Sequence, residues 1–198
     1  MGGREAHLRE TLARKGLHSL GAFILVIMDR FGLRAAQAVT IAMLCLYALS
    51  EHLRRSGGDL PLFTSVTRAA TSESDREGVV SAPIWFALGT LTSITLFPPG
   101  IATIGVLTLA IGDPVAALVG RFAGRHPNPL NGSKSVEGSL AGFIAATLAC
   151  SMFTDPATSV AGCLVGMLVE ALPLPLNDNL TIPILSSLSS LAFSLSWG

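Results

Sequence analysis

Seven apolar runs make up most of this chain, separated by Pro/Gly turns, a basic loop and one long polar connection at 51–81: 17–28, 35–50, 83–97, 101–118, 136–153, 157–172 and 180–195. A soluble domain needs only one apolar face per element, whereas here whole elements are apolar. Half of the 198 residues are hydrophobic and 13% are charged, against about 25% charged in soluble domains. The pattern predicts an all-α, polytopic integral membrane bundle of about seven transmembrane helices, in one domain covering 1–198. Several runs fall short of the roughly 20 residues a full span needs, so six or eight spans fit as well. A basic tail before 17–28 imitates a signal peptide. Asp29-Arg30 ends that run, no small-x-small cleavage site stands out and further runs follow, so it reads as a retained first span. Thirteen basic residues balance thirteen acidic ones, which leaves no global field to attract nucleic acid.

Lys and Arg set the expected orientation. With seven spans and a cytoplasmic N-terminus, the tail 1–15 and the loops 51–81 and 120–135 hold eleven of the thirteen basic residues, and only Arg30 and Arg34 lie outside. That is a positive-inside bias. The same arrangement brings Arg14, Lys15, Asp113, Lys134, Glu137, Asp178 and Asn179 to the cytoplasmic side, so a single site at that face is expected.

Cys45, Cys150 and Cys163 sit inside apolar runs with no metal-motif spacing, and read as small packed hydrophobes. The four histidines form no HxxxH or HExxH pattern, which argues against zinc. Ala116, Gly120 and Gly124 recur every four residues, as do Gly138, Gly142, Ala146 and Cys150. Small residues at that spacing let helix backbones approach closely in lipid. Gly120 and Gly124 also flank a polar loop, where they would open backbone amides to a phosphate.

The stretch 112–139, GDPVAALVGRFAGRHPNPLNGSKSVEGS, carries most of the chemistry. Asp113 follows eleven uncharged residues and precedes Pro114. Asp at an N-cap with Pro first in the helix is a good helix start. A broken helix with a carboxylate near the membrane surface is equally a way to build an ion site. Asp113 would then ligate Mg²⁺ or accept a proton from a hydroxyl. Lys134, Ser135, Glu137, Gly138 and Ser139 surround the start of the fifth run. Free amides at a helix N-terminus favour a phosphate, Lys134 adds a point charge, and Glu137 tolerates that phosphate only with a cation between them. The bland reading is a surface lysine and a first-turn glutamate. No GxxxxGK[ST] loop precedes Lys134-Ser135, so a Walker-type nucleotide fold is not supported.

Arg14 and His18 lie four residues apart on one helix face, with Lys15 beside them. They are either membrane anchors or a phosphate clamp. Glu170 ends the sixth run, and Asp178-Asn179 opens the seventh. A carboxylate in an apolar run is a site candidate, although Asp178 can also cap its helix.

Together, Arg14-Lys15-x-x-His18, Gly112-Asp113-Pro114-x-Ala116-x-x-x-Gly120, Lys134-Ser135-x-Glu137-Gly138-Ser139 and Glu170…Asp178-Asn179…Pro183 resemble the polyprenol kinase family of dolichol, phytol and CTP-dependent diacylglycerol kinases. The resemblance covers roughly residues 12–185. It implies a membrane-embedded kinase that moves the terminal phosphoryl of a nucleoside triphosphate, typically CTP with ATP as the other donor, to the hydroxyl of a lipid alcohol. Asp113, Lys134, Glu137 and Asp178 would then be catalytic. Arg14, Lys15, His18, Gly120, Ser135, Gly138, Ser139 and Asn179 would bind the nucleotide. Asp113, Glu137, Glu170 and Asp178 would supply Mg²⁺ ligands, with bilayer lipids around the site.

Two other classes compete. The CDP-lipid-forming cytidylyltransferases also combine CTP, Mg²⁺ and a lipid, but their C-terminal Lys-Asp…His-Gly-Gly…Asp-Arg pattern is missing here. A small ion-coupled transporter would use broken helices and intramembrane carboxylates, although no inverted repeat is visible.

Overall fold

The computed structural model describes residues 13, 15–58, 60–61 and 80–197. Residues 15–20 are helical. There follow α1 (Phe23–Phe31), α2 (Leu33–Arg55), α3 (Ala82–Leu96), α4 (Pro99–Ala123), a hairpin of β1 (Pro127–Asn128) and β2 (Asn131–Ser135), α5 (Val136–Cys150), α6 (Pro156–Ala171) and α7 (Asp178–Trp197).

Prolines and caps set these boundaries. Pro98 and Pro99 separate α3 from α4, with Pro99 in the first turn of α4, where a missing N–H costs nothing. Asp155 caps α6 by accepting the Thr158 N–H at 2.8 Å, and Pro156 follows it. Between α1 and α2, Gly32 takes φ +86°, a conformation a side chain would strain.

The expectation of about seven transmembrane helices is overturned. Among the described residues only α2, α4 and α7 are long and apolar enough to cross a membrane. The apolar runs did become helices, but α3 and α5 have 15 residues each and α6 has 16. At about 1.5 Å per residue they reach about 22–24 Å, short of a hydrocarbon core of about 30 Å. Turns at Pro98-Pro99, Asp155-Pro156 and Pro173 stop them early. The all-α expectation holds for the bundle, to which part of the loop 120–135 adds one short antiparallel ladder, Pro127 opposite Ser135 and Asn128 opposite Asn131.

Helix α4 is the core of the bundle. Ala102, Ile104, Val106, Leu109 and Ala110 are fully buried. It does not break at Gly112-Asp113-Pro114 as the sequence suggested. Residues Thr108–Gly112 form one π-turn, with the Asp113 N–H donating to the Thr108 carbonyl. Pro114 cannot donate to the carbonyl four residues back, and the wider turn absorbs that mismatch; such turns recur at functional sites. Asp113 is therefore an internal helical residue rather than an N-cap.

Small residues close the bundle. A methyl on Gly138 of α5 would lie 2.5 Å from the Ala116 carbonyl oxygen, and one on Gly142 would lie 2.5 Å from that of Gly112. Cys150 and Cys163 are buried, with their sulfurs 3.6 Å apart as free thiols. Apolar side chains also face outward: Leu140, Ile144 and Leu148 on α5, and Val160, Leu164 and Leu168 on α6. Each set recurs every fourth residue, so each forms a stripe along one helix face. Extended apolar surface of this kind marks contact with a membrane or a partner, and with the three long helices it makes this a membrane-associated protein.

Candidate functional site

The charged residues collect where the second half of α4, the hairpin, the end of α6 and the start of α7 meet. The π-turn places Asp113 at the head of the last segment of α4, with its side chain 2% exposed. Lys15, from the helical stretch before α1, reaches across the bundle. Its Nζ donates to Asp113 Oδ1 at 2.6 Å and to Oδ2 at 2.5 Å.

The hairpin supplies the second lysine. Lys134 Nζ donates to Glu170 Oε1 at 2.6 Å and to the Glu170 carbonyl at 2.5 Å, and stands 3.9 Å from Asp178 Oδ2. Ser139 Oγ lies 3.5 Å from Glu170 Oε2. Two lysine–carboxylate groups thus face one cavity of about 540 Å³, lined by Lys15, Asp113, Gly120, Lys134, Glu170 and Asp178 among others. That volume lies in the range of small-ligand sites.

The other expected site residues fall into three groups. Ser135 and Ser139 line the cavity, and Ser135 caps α5 by accepting the Gly138 N–H at 3.1 Å. Gly138 packs against Gly120 and Ala116 at the α4–α5 contact instead of opening its amide to the cavity. The cavity lining does not include Glu137, His18 or Asn179. The Glu137 carboxylate pairs with His126 Nδ1 at 2.6 Å and also accepts the His126 backbone N–H, so it touches the cavity only through His126. The His126 side chain, helped by backbone N–H groups, holds the Glu137 carboxyl down at about 2. His18 is buried edge-on against Phe86 at 5.1 Å, within electrostatic reach of Asp113. Asn179 Nδ2 donates to the Ala82 carbonyl and ties α7 to α3. Arg14 lies outside the described residues.

Sequence reasoning passed over four residues here. Arg121, Arg125 and His126 line the same cavity; in the sequence they register only as topology charges and as a histidine outside any metal pattern. The spacing of Arg121 from Asp113, eight residues along one helix, was the available signal. Asn128 is buried in the hairpin and left no signal in a loop-like PNPLNG string.

Among the described residues no three His, Cys, Asp or Glu side chains gather into a metal cage. Mg²⁺ seldom has one, since it takes one or two carboxylates and completes its shell with water and phosphate oxygens. Asp113 and Asp178, which line the same cavity, fit that demand. Glu137 does not, being turned to His126.

No protein-family model and no solved structure matches the chain. Curated relatives do. The CTP-dependent diacylglycerol kinase 1 of Schizosaccharomyces pombe is 26% identical over 201 residues, 90% of this chain and 91% of that protein. The probable chloroplastic phytol kinase of Triticum aestivum is 28% identical over 207 residues, 91% of this chain and 67% of its own length. The CTP-dependent diacylglycerol kinase 1 of Saccharomyces cerevisiae is 29% identical over 132 residues, 53% of this chain and 46% of its own. Three membrane-length helices and these relatives define the class: a membrane-associated enzyme of lipid-kinase type. These relatives are diacylglycerol and phytol kinases, and they support the resemblance to the polyprenol kinase family seen in the sequence.

Proposed function

We propose that the chain transfers the terminal phosphoryl group of CTP to the hydroxyl of a membrane lipid alcohol, at a Mg²⁺-dependent site on the cytoplasmic face. The observation that carries this is the convergence of Lys15, Asp113, Lys134 and Asp178 on one cavity from four separate parts of the chain. Phosphoryl transfer asks chiefly for alignment and charge neutralisation. Lys15 and Lys134 bind the triphosphate, with Arg121 and Arg125 at the rim. Asp113 and Asp178 would hold the metal, which would supply charge neutralisation at the phosphate oxygens. The lipid oxygen attacks the γ-phosphorus, the bond to the β–γ bridging oxygen breaks, and the hydroxyl proton passes to a carboxylate of the site. Lys15 bonds both Asp113 oxygens, and its transfer to the phosphates would free that carboxylate. The products are CDP and the lipid phosphate. The relatives' names supply CTP, diacylglycerol and phytol as the first substrates to test, and the basic residues gathered on the cavity, Lys15, Arg121, Arg125 and Lys134, support the cytoplasmic face.

The test uses purified protein in detergent with Mg²⁺ and CTP or ATP labelled at the α or γ position. The acceptors are diacylglycerol, phytol, dolichol and a shorter polyprenol. Label should move from the γ position to one of these lipids, and Asp113→Asn should abolish it. Label moving from the α position would overturn the kinase reading in favour of cytidylyl transfer.

A further inference from the structure

Helix α6 ends at Ala171 and the chain leaves through Leu172 and Pro173. The last four carbonyls of a helix have no intrahelical donor. Two of them are satisfied here by side chains of the hairpin. Asn128 Nδ2 donates to the Ala171 carbonyl at 3.2 Å, and Lys134 Nζ donates to that of Glu170 at 2.5 Å. The hairpin thus works as an external cap on α6, and the Lys134 cation sits where the helix dipole favours positive charge.

Asn128 is 8% exposed and uses both ends of its amide. While Nδ2 holds α6, Oδ1 accepts the Leu130 N–H at 2.9 Å and closes the hairpin turn. A carboxamide can donate from its nitrogen and accept at its oxygen in two directions at once. At the far end of β2, Glu170 Oε1 takes the Lys134 ammonium. Both ends of the hairpin are therefore fixed to the last turn of α6, and Lys134, otherwise a point charge on a flexible stem, is held at the cavity wall.

We infer that Asn128 and Glu170 are positioning residues: they dock the hairpin on the end of α6 and so set where the Lys134 ammonium meets a triphosphate. This rests on the proposed reading of Lys134 as a phosphate ligand. It also gives Glu170 a different task from metal binding, because one of its oxygens is committed to Lys134.

The full chain in detergent allows a direct test, since Lys15 and Lys134 are its only lysines and amine acylation read by mass spectrometry reports each separately. Asn128→Asp keeps the shape and the acceptor but loses the donor. It should raise Lys134 acylation relative to Lys15 and weaken nucleotide binding roughly two- to tenfold, the worth of one hydrogen bond, with KM rising more than kcat falls. Glu170→Gln should do the same, and serves if Asn128→Asp does not fold. In a Lys134→Met background neither substitution should weaken nucleotide binding further, whereas a merely structural role would add its loss. Unchanged Lys134 acylation in both variants, or additive losses, overturns the inference. If Lys134→Met leaves nucleotide affinity untouched, the proposed phosphate role of Lys134 falls instead, and acylation still decides the docking.

Discussion

Removing Lys15 should damage the fold more than removing its partner, although both changes should stop catalysis. The Lys15 and Asp113 side chains are 11% and 2% exposed, with N–O distances of 2.6 and 2.5 Å. At an effective dielectric near 20 the Coulomb attraction at that separation is about 6 kcal/mol, and the cost of drying both charges offsets most of it. The net worth of the pair is therefore small, but the two halves are unequal when separated. Lys15→Met leaves a carboxylate stranded beneath the bundle surface, and breaking a buried pair costs about 3–5 kcal/mol. Asp113→Asn leaves an ammonium on a four-carbon stem beside an open cavity, and such a group can turn to water; about 1 kcal/mol is expected, within the usual cost of one lost interaction. The double variant Lys15→Met/Asp113→Leu strands nothing and should recover much of the loss. For a chain of this size each kcal/mol moves the melting temperature by about 2–4 °C, so Lys15→Met should melt about 6–20 °C lower. Scanning fluorimetry in a fixed detergent measures the order, and phosphoryl transfer should be absent in all three. A Lys15→Met protein that melts with the wild type, or a double variant less stable than both singles, would refute the buried pair.

Two further outcomes test the surroundings of the site. Gly138→Ala should destabilise by about 1–3 kcal/mol through overpacking, because its methyl would sit 2.5 Å from the Ala116 carbonyl oxygen and 2.9 Å from the Gly120 Cα, backbone atoms that cannot step aside; a melting temperature equal to wild type would sink the close α4–α5 contact. Glu137 loses a proton more readily folded, at about 2, than at its ordinary 4.5, so its contribution is present above pH 4.5 and is lost as the pH falls toward 2. In ¹⁵N-histidine-labelled protein the His126 amide, which donates to Glu137, should titrate with a midpoint near 2 and stop doing so in Glu137→Gln. A midpoint at 4.5 would mean the contact is not formed.

The helices were legible because apolar runs end at proline turns. The run 83–97 became Ala82–Leu96, and 157–172 became Pro156–Ala171. Their number of membrane crossings was not legible, because hydropathy reports apolar content and says less about length: α5 is as apolar as a span and stops at Cys150. The π-turn escaped notice because Gly-Asp-Pro reads as a helix start, and only the bundle on both sides of α4 forces the helix to continue. The hairpin escaped because strands of two and five residues carry no alternation. At the site, rare charges in an apolar chain marked Asp113, Lys134, Glu170 and Asp178 as worth attention. Their pairings were beyond reach, since Lys15 finds Asp113 across 98 positions and Lys134 finds Glu170 across 36. The partner of Glu137 was out of reach for the same reason, since His126 comes from across the hairpin.

Where the polar groups lie also separates a kinase from an ion-coupled transporter. Inside the bundle the polar side chains are mostly hydroxyls that return their protons to their own helices: Thr40 to Ala36, Thr108 to Ile104, Ser190 to Ser186. Thr90 and Ser93 are buried hydroxyls without a partner, two neutral groups that do not make an ion path. The ionised groups of the site instead gather in one cavity: Asp113 just past the π-turn of α4, Lys134 on the hairpin, Glu170 in the last turn of α6 and Asp178 in the first of α7. A transporter places its charges where both sides of the membrane can reach them in turn, near the middle of the bilayer. A lipid kinase needs the reverse, a charged pocket open to a water-soluble nucleotide and bordered by apolar helices that leave a lipid tail in the bilayer. The outward apolar stripes of α5 and α6 begin beside that pocket, and only the second arrangement uses both.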